Sequence, residues 1–142
     1  MKLAVIACAG SFVAAAAMAQ SSLPDPARTP GALNPSVTQE TVAATICMRG
    51  WTRTVRPPPA ARYLNPGYHL VPIGLGGAPA DPRNLWPEPR DPADDWGADR
   101  KDEPEAVLNR LVCEGRLPLA EAQSAIARDW IAAYRRFVAP DE

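Results

Sequence analysis

The chain is short of the residues from which metal and redox sites are usually built: 142 residues contain one histidine and three cysteines. That scarcity leaves little room for an all-protein zinc cage, because the one imidazole and all three thiols would have to converge to fill four tetrahedral positions. Acidic side chains are absent from Thr41 to Ala80, so nothing in that stretch can offer a carboxylate to a hard cation such as magnesium or calcium. Long apolar runs are missing too. The longest, Leu3 to Ala17, falls short of the about 20 residues that a membrane-spanning helix needs.

Lys2, that alanine-rich run, and the small-residue pattern Ala17-Met18-Ala19 before Gln20 read together as an export signal over residues 1–19, removed in the mature protein. The remaining chain carries 14 basic and 16 acidic side chains, a net charge near −2, and is long enough for one modest core. It has no further candidate membrane span, and its expected location is periplasmic or secreted. Cys8 leaves with the signal. Cys47 and Cys113 then meet an oxidising compartment, and a disulfide between them is expected, with two free buried thiols as the alternative. A bridge closing a loop of that length stabilises a fold by about 4 kcal/mol on a chain-entropy argument.

Residues 20–36 hold four prolines and little apolar content, and read as an extended lead-in to a domain over 37–139. Thr38 and Glu40 open a helical stretch with Val42, Ile46 and Cys47 on one side, ending near Gly50. Trp51-Thr52-Arg53-Thr54-Val55 alternates in the manner of a half-buried strand. Ten of the 36 residues from Pro57 to Pro92 are proline, which excludes long helices there and leaves loops, short edge strands and turns. Val107, Leu108, Leu111 and Val112 recur at helical spacing, with Pro104 suited to a first turn and Gly115 to a stop. A second helix after Pro118 carries Leu119, Ala122, Ile126, Trp130, Ala133 and Phe137 three or four apart. Charge is divided: Arg49, Arg53, Arg56 and Arg62 fall in the acid-free stretch, whereas nine acids face four bases from Asp81 to Glu105. The basic stretch could meet phosphates, or pair with the acidic stretch inside one fold.

The ordered set TPGALNPSVTQ, TICMRGWT, HLVPIGLGGAPADPRNLWPEP, KD and LVCEGRLPLAEAQSAIARDW resembles a family of small exported bacterial proteins with an HNH-nuclease-like (ββα-metal) core, over residues 29–131. The resemblance implies an α+β fold: a hairpin and helix that grip one divalent cation (Mg, Mn, Ni or Zn), enlarged by an N-terminal helix and two C-terminal helices. It implies that His69 is the base that activates water, that Asn84 orients it, and that Gly76-Gly77 form the turn between the strands. Metal offsets the charge that builds on the phosphate and leaving oxygen in such chemistry.

Two ligands of the family pattern have other residues here. Tyr68 stands where the family has aspartate, and Asp99 where it has a metal-binding histidine. A cation would have to rest on Asp99 or Asp102 with His69, and a phosphate on Arg53, Arg56 or Lys101. The same acids, with Asp91, Asp94 and Asp95, can also be read as a solvated loop and a helix N-terminus favoured by the dipole. Two functions follow. One is metal-dependent hydrolysis of nucleic acid phosphodiesters. The other is a degenerate, non-catalytic envelope module that binds a polyanion or a partner protein.

Overall fold

A computed structural model of the chain describes residues 21–57 and 68–140. The signal reading, Arg62 and Pro58-Pro59 lie outside the described residues. The order is a 3-10 turn (Val42–Ala44), helix α1 (Trp51–Val55), strand β1 (Tyr68–His69), two further 3-10 turns (Ile73–Leu75 and Pro82–Asn84), strand β2 (Leu85–Trp86), and helices α2 (Ala98–Cys113), α3 (Leu119–Arg128) and α4 (Trp130–Phe137). The fold is thus α+β, with four helices and one small antiparallel sheet in which Tyr68 pairs with Trp86 and His69 with Leu85. No helix among the described residues is long and apolar enough to cross a membrane.

Three expectations change. The segment from Thr38 to Gly50 makes turns around one 3-10 turn instead of a helix. Threonine hydroxyls there bond nearby carbonyls, Thr41 to Ser36 O at 2.9 Å and Thr45 to Thr41 O at 2.7 Å, and so compete with a helical ladder. Trp51–Val55 is a short helix and not a strand. Trp51 is buried and Val55, four residues on, packs against the core, whereas Arg53 is exposed. A strand would have put Arg53 on the same face as both. The single C-terminal helix is two, because Asp129 takes an extended backbone (φ −163°, ψ 95°) and its side chain caps α4 by accepting from Ala132 N at 2.9 Å.

Helix α2 begins well before the apolar period shows, since its first turns are polar. Pro104 therefore lies inside it and is buried, and having no N–H it forgoes the bond to the Arg100 carbonyl. The buried stripe is Lys101, Pro104, Leu108 and Val112, at helical spacing. Against it pack Leu119, Ala122, Ile126 and Trp130, together with Val71, Ile73 and Leu75 from the loop between the strands. Trp130 is completely buried and donates its indole N–H to Ser22 O at 2.7 Å, which ties the lead-in to the core. Cys47 and Cys113 are bonded, with Cα atoms 5.5 Å apart, and anchor the N-terminal turns to the end of α2.

Candidate functional site

The loop from Leu70 to Asn84 is held by several side chains: Asn109 donates to Gly74 O at 2.6 Å and Gln123 to Leu75 O at 2.8 Å, and Asn84 ties its two ends together. Asn84 is fully buried. Its oxygen accepts from Val71 N at 2.9 Å, and its amide donates to Val71 O at 2.9 Å and to Ala78 O at 3.1 Å. Glycine is obligatory at the turn this encloses. Gly76 has φ +79°, and a Cβ on Gly77 would stand 1.8 Å from Val71 O. The loop so held presents Pro79 O to His69 Nε2 at 2.9 Å. Asn84 has its hydrogen bonds to backbone and not to the imidazole, so it positions His69 through residues 78–79 and not by holding the ring. A carbonyl only accepts, so Nε2 carries the proton and the lone pair is on Nδ1.

His69 borders a cavity of about 750 Å3 lined also by Thr52, Arg56, Tyr68, Glu88, Asp102, Glu105 and the apolar side chains of Ile73 and Leu85. Burial holds the His69 imidazole below its ordinary pKa, and the charges of Lys101 and Arg56 act in the same direction against the Pro79 bond. The ring is neutral at pH 7. Burial raises Glu88 to about 7, reinforced by Glu105 and Asp102 and opposed by Lys101. Its Oε1 is shielded from solvent and makes no hydrogen bond. Burial likewise raises the Glu105 carboxyl, against the pull of Lys101.

The residues read from sequence separate into two groups. Asp102 and Arg56 reach the cavity with His69. Asp99 is exposed and does not line it, and Arg53 is exposed beside it without lining it. Lys101 points inward, not toward a phosphate at the surface: it is 1% exposed, donates to His69 O at 2.8 Å and is paired with Glu105. Glu88 and Glu105 carry the strongest electrostatic signals of the cavity and were not singled out by sequence reading. Glu105 had a visible cue, four residues after Lys101 on the buried stripe. Glu88 had none, lying between Pro87 and Pro89.

The ligand set that the resemblance implies is not brought together among the described residues, since Asp99 lies away from the His69 cavity. Among the described residues, no three His, Cys, Asp or Glu side chains are grouped to hold one. Nε2 of His69 is committed to Pro79 and Glu105 to Lys101. The Tyr68 hydroxyl accepts from Arg90 Nη2 at 2.6 Å and Nε at 3.0 Å, which places a guanidinium beside the phenol.

Arg49, Arg53 and Arg56 of the acid-free stretch have no acidic partners among the described residues. Ion pairs among the described residues are Arg28–Asp25, Arg83–Asp81, Lys101–Glu105, Arg116–Glu114 and Arg136–Glu121, so Arg49, Arg53 and Arg56 are in none of them. No family model, no curated protein and no solved structure matches this chain.

Proposed function

We propose that this is an exported, nuclease-like protein that cleaves phosphodiester bonds of nucleic acid in the His69 cavity, with His69 as the base. One observation carries the reading: a neutral imidazole with a fixed tautomer borders a cavity that also holds Arg56, Glu88, Asp102 and Glu105. A base that is unprotonated at pH 7 is what abstraction of a proton from a hydroxyl or water requires. Arg56 is the cation at the cavity that can face a phosphate. The hairpin with a following helix supports the likeness to HNH nucleases. The disulfide and the apolar N-terminal run support export.

The test is cleavage of plasmid DNA and of RNA by the mature protein, in chelator and with Mg, Mn, Ni or Zn added in turn. Substituting His69→Ala should lower the rate by about 100-fold or more. No cleavage of either nucleic acid under any of these conditions, or equal cleavage by the variant, ends the reading.

A second reading has its own support in the exposed Arg49 and Arg53, which lack acidic partners among the described residues. On that reading the scaffold is a non-catalytic envelope module whose arginine face binds a polyanion or a partner protein. Binding to heparin or RNA should then weaken steeply with salt and fall with Arg53→Ala, with His69→Ala having no effect. Binding that ignores salt would count against it.

A further inference from the structure

The cavity brings together two groups of opposite proton demand. His69 lies on β1 with Leu85 opposite it, and Glu88 follows β2 by two residues, so both ends of the small sheet open on the same space. His69 offers a lone pair on Nδ1, because Nε2 is bound to Pro79 O. Glu88 lines the same space; its Oε1 is out of contact with solvent and has no partner among the described residues, which leaves Oε2 as the oxygen that meets a ligand. A buried carboxylate oxygen left without a hydrogen bond is costly when charged and much less so when the group carries a proton. Prolines on either side restrict the backbone that holds it. Lys101, the nearest buried cation, is engaged by Glu105 and the His69 carbonyl and does not reach over to neutralise Glu88 by a hydrogen bond.

A phosphodiester can be cleaved without a metal ion when the nucleophile is already part of the substrate, since attack within one molecule replaces the activation of a free water. RNA has such a nucleophile in its 2'-hydroxyl and DNA does not. We propose that this cavity cleaves RNA and not DNA, without a metal ion, with His69 taking the proton of the 2'-hydroxyl and Glu88 delivering a proton to the leaving 5'-oxygen. The proposal rests on the phosphodiester-cleaving reading above and narrows its substrate. The new bond joins the 2'-oxygen to phosphorus, and the bond from phosphorus to the 5'-oxygen breaks. The products are a 2',3'-cyclic phosphate and a free 5'-hydroxyl. One proton has moved to His69 and one has left Glu88, and exchange with water restores both groups. Arg56 at the cavity wall faces the charge that grows on the non-bridging oxygens.

The protonation states agree with this division of roles. Burial, with Lys101 and Arg56 facing it, holds His69 below its ordinary value, so near neutrality the ring is unprotonated and free to take a proton. Glu88, facing Glu105, Asp102 and Lys101, holds a proton up to about 7. The rate should rise with pH as His69 loses its proton and fall above about pH 7 as Glu88 ionises, a bell with its maximum on the acid side of neutrality.

The test uses the mature protein in chelator with an oligoribonucleotide, the same oligomer carrying one 2'-deoxy residue, and a nitrophenyl ester of a nucleoside 3'-phosphate, whose leaving group needs no proton. Expected are cleavage in chelator, no cleavage at the deoxy position, and cyclic phosphate ends. Glu88→Gln should lose about 100-fold on RNA but only a few-fold on the ester, whereas His69→Ala should lose about 100-fold on both. Cleavage that requires a metal, or that includes DNA, overturns this inference and leaves the nuclease reading standing. No cleavage of any nucleic acid overturns both. Glu88→Gln acting on RNA at the unaltered rate, or losing equally on both substrates, removes Glu88 from the proposed role.

Discussion

The helical region from Ala98 to Phe137 and the hairpin region from Tyr68 to Trp86 are stabilised in different ways. In the first, burial of apolar stripes dominates: Leu108, Val112, Ala122, Ile126 and Trp130 are nearly or wholly inaccessible, and the helices supply their own backbone hydrogen bonds. In the second, the strands are two residues each, and the loop that joins them is held by specific side-chain hydrogen bonds from Asn84, Asn109 and Gln123. The difference teaches where chemistry can be housed. A packed helical stripe tolerates few polar groups, as Lys101 illustrates by needing both Glu105 and a carbonyl. A loop held by specific hydrogen bonds can leave an imidazole and a carboxyl facing a cavity.

That contrast can be broken or sharpened by substitution. The largest effect on stability is expected in the helical region: Trp130→Ala should cost about 4 kcal/mol in chemical denaturation, through the lost ring and its bond to Ser22, and should leave the titration of His69 followed by NMR unchanged. A moved histidine titration would show that the two regions are not independent. Next comes Asn84→Ala, with an expected loss of about 2–3 kcal/mol, because Val71 N and O and Ala78 O lose their shared partner in a buried place. This variant should shift the His69 titration. If it does not, the asparagine braces the loop without positioning the ring.

The smallest effect concerns pH. The folded-state pKa of Glu88 lies above its ordinary value, so its contribution to stability is complete at low pH and is lost as pH rises toward and through about 7. Glu88→Gln removes that loss. The variant should melt about 5 °C higher than the parent at pH 8, equivalent to roughly 1 kcal/mol after allowance for partial solvent screening, and no higher at pH 4. Equal melting temperatures at pH 8 would show that the Glu88 carboxylate is well solvated.

Legibility followed the same division. The C-terminal stripes and the stop at Gly115 were visible because helical burial repeats every three to four residues, and their boundaries were misplaced only where polar first turns or the Asp129 cap interrupted the period. The Trp51 to Val55 segment reads as a strand because both periods agree on its two apolar ends, and only the exposure of Arg53 separates them. In the hairpin region the resemblance drew notice to His69 and Asn84. It also drew notice to Asp99, which the structure leaves at the surface, and it passed over Glu88.

Composition and local pattern alone pointed to the pairing of Cys47 with Cys113 and to the helical C-terminal core, because counts of cysteine and repeats of apolar residues act over short distances or have few alternatives; the α+β class came from the resemblance. Only the tertiary structure decided which charged groups share a cavity. Glu88, Lys101 and Glu105 are ordinary charged residues in the sequence, and their proton affinities arise from desolvation and from neighbours brought to them by folding.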